Sequence, residues 1–130
     1  MTLSVAKGVS LVWPYKEIKI NLSNGGSVLT VGVSKAYYYP TYTGTVRGWK
    51  IVGDTSGSIV VRILKKNNAA PTNADVISGS EHPSLSSQTL NQDFNLTTWT
   101  DREIRIDDVL GLEIASVSTL TNVTISLLVE

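Results

Sequence analysis

Apolar and polar residues alternate along most of this chain. In "KEIKINL", residues 16–22, Ile18, Ile20 and Leu22 interleave with Glu17, Lys19 and Asn21. That period of two puts one face of a strand in a core and the other in solvent. Ile59, Val61 and Ile63 repeat it. So do Ile104, Ile106, Leu110, Leu112 and Ile114 through "REIRIDDVLGLEIAS", and Val123, Ile125, Leu127 and Val129 through "NVTISLLVE". Val46, Trp49 and Ile51 flank Gly48, which fits a bulge. No long window carries a helical stripe. The pattern predicts strands near 9–13, 16–23, 28–38, 44–53, 57–66, 89–99, 102–117 and 121–130.

Two stretches interrupt it. "GDTSGS", residues 53–58, lies between alternating runs and predicts a hairpin turn, with Gly57 available for positive φ and Asp54 for a local backbone hydrogen bond. A phosphate loop would need a following helix, and a calcium loop more than its one carboxylate. Residues 67–88 contain Pro71, Pro83 and many Asn and Ser, which oppose helix and central strand alike. A connection of that length is functional or wrapped over a surface.

Composition sharpens the class. Val, Ile and Thr dominate and alanine is scarce, the signature of pleated surfaces. The expected fold is all-β: a two-sheet antiparallel sandwich, jelly-roll-like, of about eight strands. At 130 residues it forms one domain. Residues 16–130 make up the sandwich, and residues 1–15 form an N-terminal segment expected to dock on a partner or a neighbouring subunit.

Lys plus Arg and Asp plus Glu both number 11, so the chain lacks the basic footprint of a nucleic-acid binder. Charged residues are only 17% against 42% hydrophobic, a balance that points to surface buried in an assembly. Without cysteine there is no disulfide, thiolate metal site or thiol nucleophile. The N-terminus has no leader pattern and no apolar run reaches bilayer length, so a soluble protein without membrane insertion is expected.

Catalytic chemistry finds little footing. His82 is the single histidine; it cannot build a multi-histidine metal site, and a solvated loop position is expected for it. Asp107 with Asp108, and Asp101 with Glu103, are candidate acid pairs, but adjacent strand residues face opposite ways. Turn formation and ion pairing with Arg102 or Arg105 is the simpler account. No catalytic, metal or cofactor-binding residue is assigned, and no cofactor is expected. "YYYPTY", residues 37–42, is the most unusual cluster. Its Tyr37, Tyr38, Tyr39 and Tyr42 either anchor a contact surface or alternate into the core ahead of Pro40. Trp13 and Tyr15 suit contact with a neighbour, whereas Trp49 and Trp99 suit the core.

The order of elements resembles a β-sandwich module of tailed-bacteriophage structural proteins, found in head-decoration, head-fibre, tail-fibre and receptor-binding proteins. The likeness runs from about Ile18 to Val129. It rests on Gly48–Trp49, on Asp54 with Ser56–Ser58, on Pro71–Thr72, on Ile77–Gly79, on Trp99 and on Asp108–Leu110. It departs at Asp107, where the module has glycine, and at "VLTVGVS" in the early strand. The resemblance implies architecture and setting, with no active-site residues. It implies a homo-oligomer, a trimer above all, located in the virion after assembly in the host cytoplasm and contacting other capsid or tail proteins. An accessory capsid protein is the first expectation. A tail-fibre or receptor-binding module that engages a host surface glycan is the second, and an enzyme the third.

Overall fold

The computed structural model describes residues 16–34 and 37–130. The expected strand at 9–13 lies outside the described residues. All regular structure among those described is β: β1 (Lys16–Ser23), β2 (Gly32–Val33), β3 (Gly44–Asn67), β4 (Ser84–Asp93), β5 (Glu103–Ile104), β6 (Asp108–Ser118) and β7 (Asn122–Val129). Every pairing is antiparallel. The all-β antiparallel class is as expected. Hydrogen bonds join the seven strands into one curled sheet, in the order β1-β7-β3-β6-β2 with β4 and β5 also on β3.

The largest departure from expectation is β3. The runs 44–53 and 57–66 are one strand of 24 residues, and "GDTSGS" is no hairpin turn. Its first part pairs with β7 as far as Gly53, and its second part pairs with β6 from Ser58. On the opposite edge, four β3 residues between Val52 and Gly57 face a single β4 residue between Leu90 and Gln88. The segment is therefore a wide bulge at which the sheet changes direction.

The connection from β6 to β7 follows the same corner. Asp54 accepts from Thr121 Oγ1, from Thr121 N at 3.3 Å and from Asn122 N at 3.2 Å. The hydrogen bond from the Thr121 hydroxyl, with those from the two amides, holds this carboxyl below its usual pKa. Gly57 is there for close approach and not for positive φ: a Cβ would lie 2.5 Å from Thr119 Oγ1 and 2.8 Å from Ser118 O.

Both stretches of β3 feed one core. Val46, Trp49 and Ile51 enter it from the first, and Ile59, Val61 and Ile63 from the second. The register shift between Val46 and Gly48 is the bulge that lets Val46 and Trp49 share a face. Val123, Ile125, Leu127 and Val129 of β7 are at most 1% exposed, and Ser126 and Leu128 between them are also buried at 7%, so the end of this strand is covered on both faces.

The remaining boundaries move for local reasons. Among the described residues of the expected strand 28–38, the pairing is β2 plus a bridge from Tyr38 to Leu110. The sixth strand lies at 84–93 instead of 89–99, because residues 97–98 form a turn before Trp99. The run 102–117 is split by a turn at Ile106 and Asp107, closed by Asp108 N donating to Arg105 O at 3.0 Å. Ile106 is thereby 65% exposed and does not share the core with Ile104.

Candidate functional site

The long connection binds the fold together before it offers anything to a partner. Lys65 N donates to Asp75 O at 3.0 Å, Ile77 N to Ile63 O at 2.9 Å and Val61 N to Pro83 O at 2.9 Å, so residues 75–83 form a strap along β3. The Glu81 carbonyl accepts from both indoles, Trp49 Nε1 and Trp99 Nε1, each at 3.0 Å. The Glu81 carboxylate accepts from Thr98 N at 2.6 Å and from Thr98 Oγ1 at 2.8 Å. One strap residue thus satisfies both core tryptophans and ties down the turn beside them, as buried donors require.

His82 is half-buried and tied into the fold, where a freely solvated loop position was expected. Its Nδ1 lies 2.6 Å from Ser78 Oγ, which also accepts from Ile63 N at 3.1 Å. The serine oxygen thus takes the Ile63 amide and the His82 ring nitrogen at once, and the direction of the second bond follows the imidazole tautomer. Ser78 is 0% exposed, so its oxygen is closed to any substrate and the pair is a structural tie. Burial, and then the charge of Arg62, hold the imidazole below its usual pKa against the pull of Glu113.

The depressed pKa makes stability depend on pH with a definite sign. A histidine whose folded pKa lies below the unfolded value of about 6.5 binds more protons unfolded, so its contribution is complete above that value and lost as pH falls through the folded one. Chemical denaturation at pH 8 and pH 5 is expected to show lower stability in acid, and His82→Gln to flatten that slope. An unchanged slope in the variant would assign the effect elsewhere. Asp54 and Asp75 add a separate loss below about pH 4, since the Thr121 and Thr72 hydrogen bonds respectively favour their ionised forms.

The acid pairs do not converge on an open site. Asp107 is exposed while Asp108 is buried at 2%. The ion pair is made with Lys65 and not with Arg102 or Arg105: its Nζ lies 2.6 Å from Asp101 Oδ2 and 3.5 Å from Asp108 Oδ2, and donates to Glu103 O at 2.6 Å. Arg105 contributes its backbone amide, which donates to Asp108 Oδ2 at 2.9 Å.

The tyrosines divide by parity. Tyr38 and Tyr42 are half-buried and pack against the core, whereas Tyr37 and Tyr39 are 39% and 66% exposed. Pro40 is buried between them. Tyr38 exchanges both backbone hydrogen bonds with Leu110 at 2.9 Å, which fixes the alternation. The Tyr42 ring carries the Lys16 ammonium 4.7 Å from its centroid. Its hydroxyl is buried with no hydrogen-bond partner among the described residues, and burial raises its pKa, with Tyr38 and Glu17 adding to the effect. Trp13 and Tyr15 lie outside the described residues.

Tyr37 stands between two hollows. One, of about 290 Å³, is lined by Tyr37, Tyr39, Asn68, Ile106 and Asp107. The other, of about 210 Å³, is lined by Tyr37, Tyr38, Lys19, Asn21 and Gly111. The exposed rings and Ile106 make a contiguous apolar surface of the kind that marks contact sites. A second apolar strip, Val52, Leu90 and Phe94, is exposed along β3 and β4.

Reading the alternation missed Ile106, Leu90 and Phe94 as surface residues. For Ile106 the signal was its place just before the Asp107–Asp108 turn, where alternation stops. Leu90 and Phe94 follow from the pairing of β4 with β3, which the sequence does not display. No family model matches the chain, and neither a curated protein nor a solved structure does.

Proposed function

We propose that this chain is a non-enzymatic structural protein of a bacteriophage virion, an accessory capsid protein of the head-decoration or head-fibre kind. It works by adhesion: homo-oligomerisation, with a trimer as the expected state, and contact with other virion proteins. The observation that carries the reading is the exposed apolar surface of Tyr37, Tyr39 and Ile106, in the segments that flank the Tyr38–Leu110 bridge and β6. Its polar clusters support it, since Asp54, Glu81, Ser78–His82 and Lys65–Asp101–Asp108 all bond within the fold. The N-terminal segment with Trp13 and Tyr15 supplies further contacts in this reading.

Light scattering on the purified chain tests it. An oligomer at micromolar concentration is expected, and Ile106→Asp, which places a charge in the surface without disturbing the core, is expected to dissociate it. A strict monomer at high micromolar concentration that binds no virion protein would overturn the proposal, as would an oligomer indifferent to Ile106→Asp.

A second reading is a tail-fibre or receptor-binding module that engages a bacterial surface glycan. It is favoured by Asn68 and Asp107, hydrogen-bonding side chains that border the exposed rings.

A further inference from the structure

One edge of the sheet is unguarded. Among the described residues β4 pairs with β3 alone, so its other edge is open to a further strand. Free edges are ordinarily blunted by lysine, proline or charges. β1, the long strand at one end of the sheet, carries Lys16, Glu17 and Lys19, whereas Asp93 is the only charged residue of β4 and its carboxylate accepts from Asn95 N at 2.8 Å. The open edge is apolar on its outer face. Leu90 lies directly across from Val52 and Gln92 from Lys50, and Phe94 packs over Gly48, where a Cβ would fall 2.5 Å from the Phe94 Cδ1. Val52, Leu90 and Phe94 are all exposed.

Symmetry and charge select a second copy of β4 as the occupant. Running antiparallel about a two-fold axis through Gln92, it sets Leu90 of each copy opposite Phe94 of the other, and Asp93 opposite Asn91, so apolar meets apolar and the one carboxylate meets an uncharged amide. Residues directly opposite point to the same face, so both Leu–Phe pairs extend the strip that Val52 begins. Lys50 is one strand further from the axis in each copy, which keeps the two cations three strand spacings, about 14 Å, apart. Neighbouring registers lose this match. An axis at Asn91 sets Leu90 against Gln92, and an axis at Asp93 sets the two carboxylates against each other. We propose that β4 is a self-pairing edge through which two copies join their sheets across a two-fold axis at Gln92. The contact shares no residue with the Tyr37, Tyr39 and Ile106 surface and goes beyond the proposed oligomer, because a two-fold contact added to a three-fold one closes a dihedral assembly of two trimers.

The chain has no cysteine, so a single introduced thiol reports the axis. Residue 92 meets itself there with Cα atoms about 4.5–5.5 Å apart, within the reach of a disulfide, and mild oxidation of Gln92→Cys is expected to yield a covalent dimer. Lys50→Cys lies on the same face, but its two Cα atoms are about twice that reach apart, and it is expected to link at least about tenfold more slowly. Adding Leu90→Asp to Gln92→Cys places a charge opposite Phe94 at an exposed position. It is expected to lower linking to the rate of the Lys50→Cys control while the thermal midpoint is kept. Adding Ile106→Asp to Gln92→Cys is expected to leave linking in place, even as it dissolves the oligomer held by the tyrosine surface. Equal linking of Gln92→Cys and Lys50→Cys would overturn the two-fold edge, as would linking that Leu90→Asp does not slow or that Ile106→Asp abolishes. Failure of the tyrosine contact is read separately, from the light scattering of Ile106→Asp alone.

Discussion

Replacing Lys65 with methionine is expected to destabilise the fold by about 3–5 kcal/mol, the range for a buried ion pair that loses one partner. The Lys65 and Asp108 side chains are 7% and 3% exposed, whereas that of Asp101 is 39% exposed. Methionine fills similar volume but leaves Asp108 as a buried charge facing Asp101 with no cation between them. Asp108 also accepts from Asn67 Nδ2 at 3.4 Å and Arg105 N at 2.9 Å, and those bonds do not neutralise it. For Asp101, burial alone would raise the pKa, but the Lys65 hydrogen bond, the Glu103 amide and the charges of Lys65 and Arg105 together hold it below the usual range. In thermal unfolding the loss corresponds to a midpoint drop of roughly 12–20 °C. Lys66→Met, at the exposed neighbouring position, is the control and is expected to stay within about 0.5 kcal/mol. A drop in Lys65→Met no larger than in Lys66→Met would show that the cluster does not hold the strand end.

How much of this was legible beforehand varies with how locally each feature is determined. The β class and the inward rows of β1, the second half of β3 and β7 follow from alternation, because burial on one face imposes period two directly. The corner at 53–58 does not. Gly, Asp and Ser are as suited to a bulge as to a hairpin turn, and the difference lies in Thr121 and Asn122, more than sixty residues away, which hold Asp54. Lys65 shows the same gap. In "ILKK" it reads as a solvated strand end, and only the turn ahead of β6 brings Asp101 and Asp108 around it. Of the tyrosines, alternation into the core was one of the two readings open beforehand, but which of them face inward was not legible. That division depends on the backbone exchange with Leu110.

Gly79 provides the other large expected effect, because two separate penalties meet at one atom. Its φ of +58° is costly for any residue with a Cβ, and that Cβ would fall 2.0 Å from Thr98 O and 2.5 Å from Thr98 C. These are backbone atoms, so relief requires the strap and the 97–100 turn to move apart. Thr98 is where the Glu81 carboxylate is held, and Glu81 O is where both indoles donate. Separation therefore strains the acceptor shared by Trp49 and Trp99, and each buried donor left unsatisfied costs about 1–3 kcal/mol. Gly79→Ala is expected to lose about 3–5 kcal/mol in chemical denaturation and to shift tryptophan emission in the remaining folded state. Gly25→Ala isolates the backbone part, since Gly25 has the same φ of +58° with nothing within 4 Å of its Cβ, and a loss of only about 1–2 kcal/mol is expected there. If the two alanines cost the same, the contact with Thr98 carries no weight and the strap is not the clamp over the tryptophans. If Gly79→Ala alone disturbs the indoles, residues 75–83 act as the clamp that seats both tryptophans against β3.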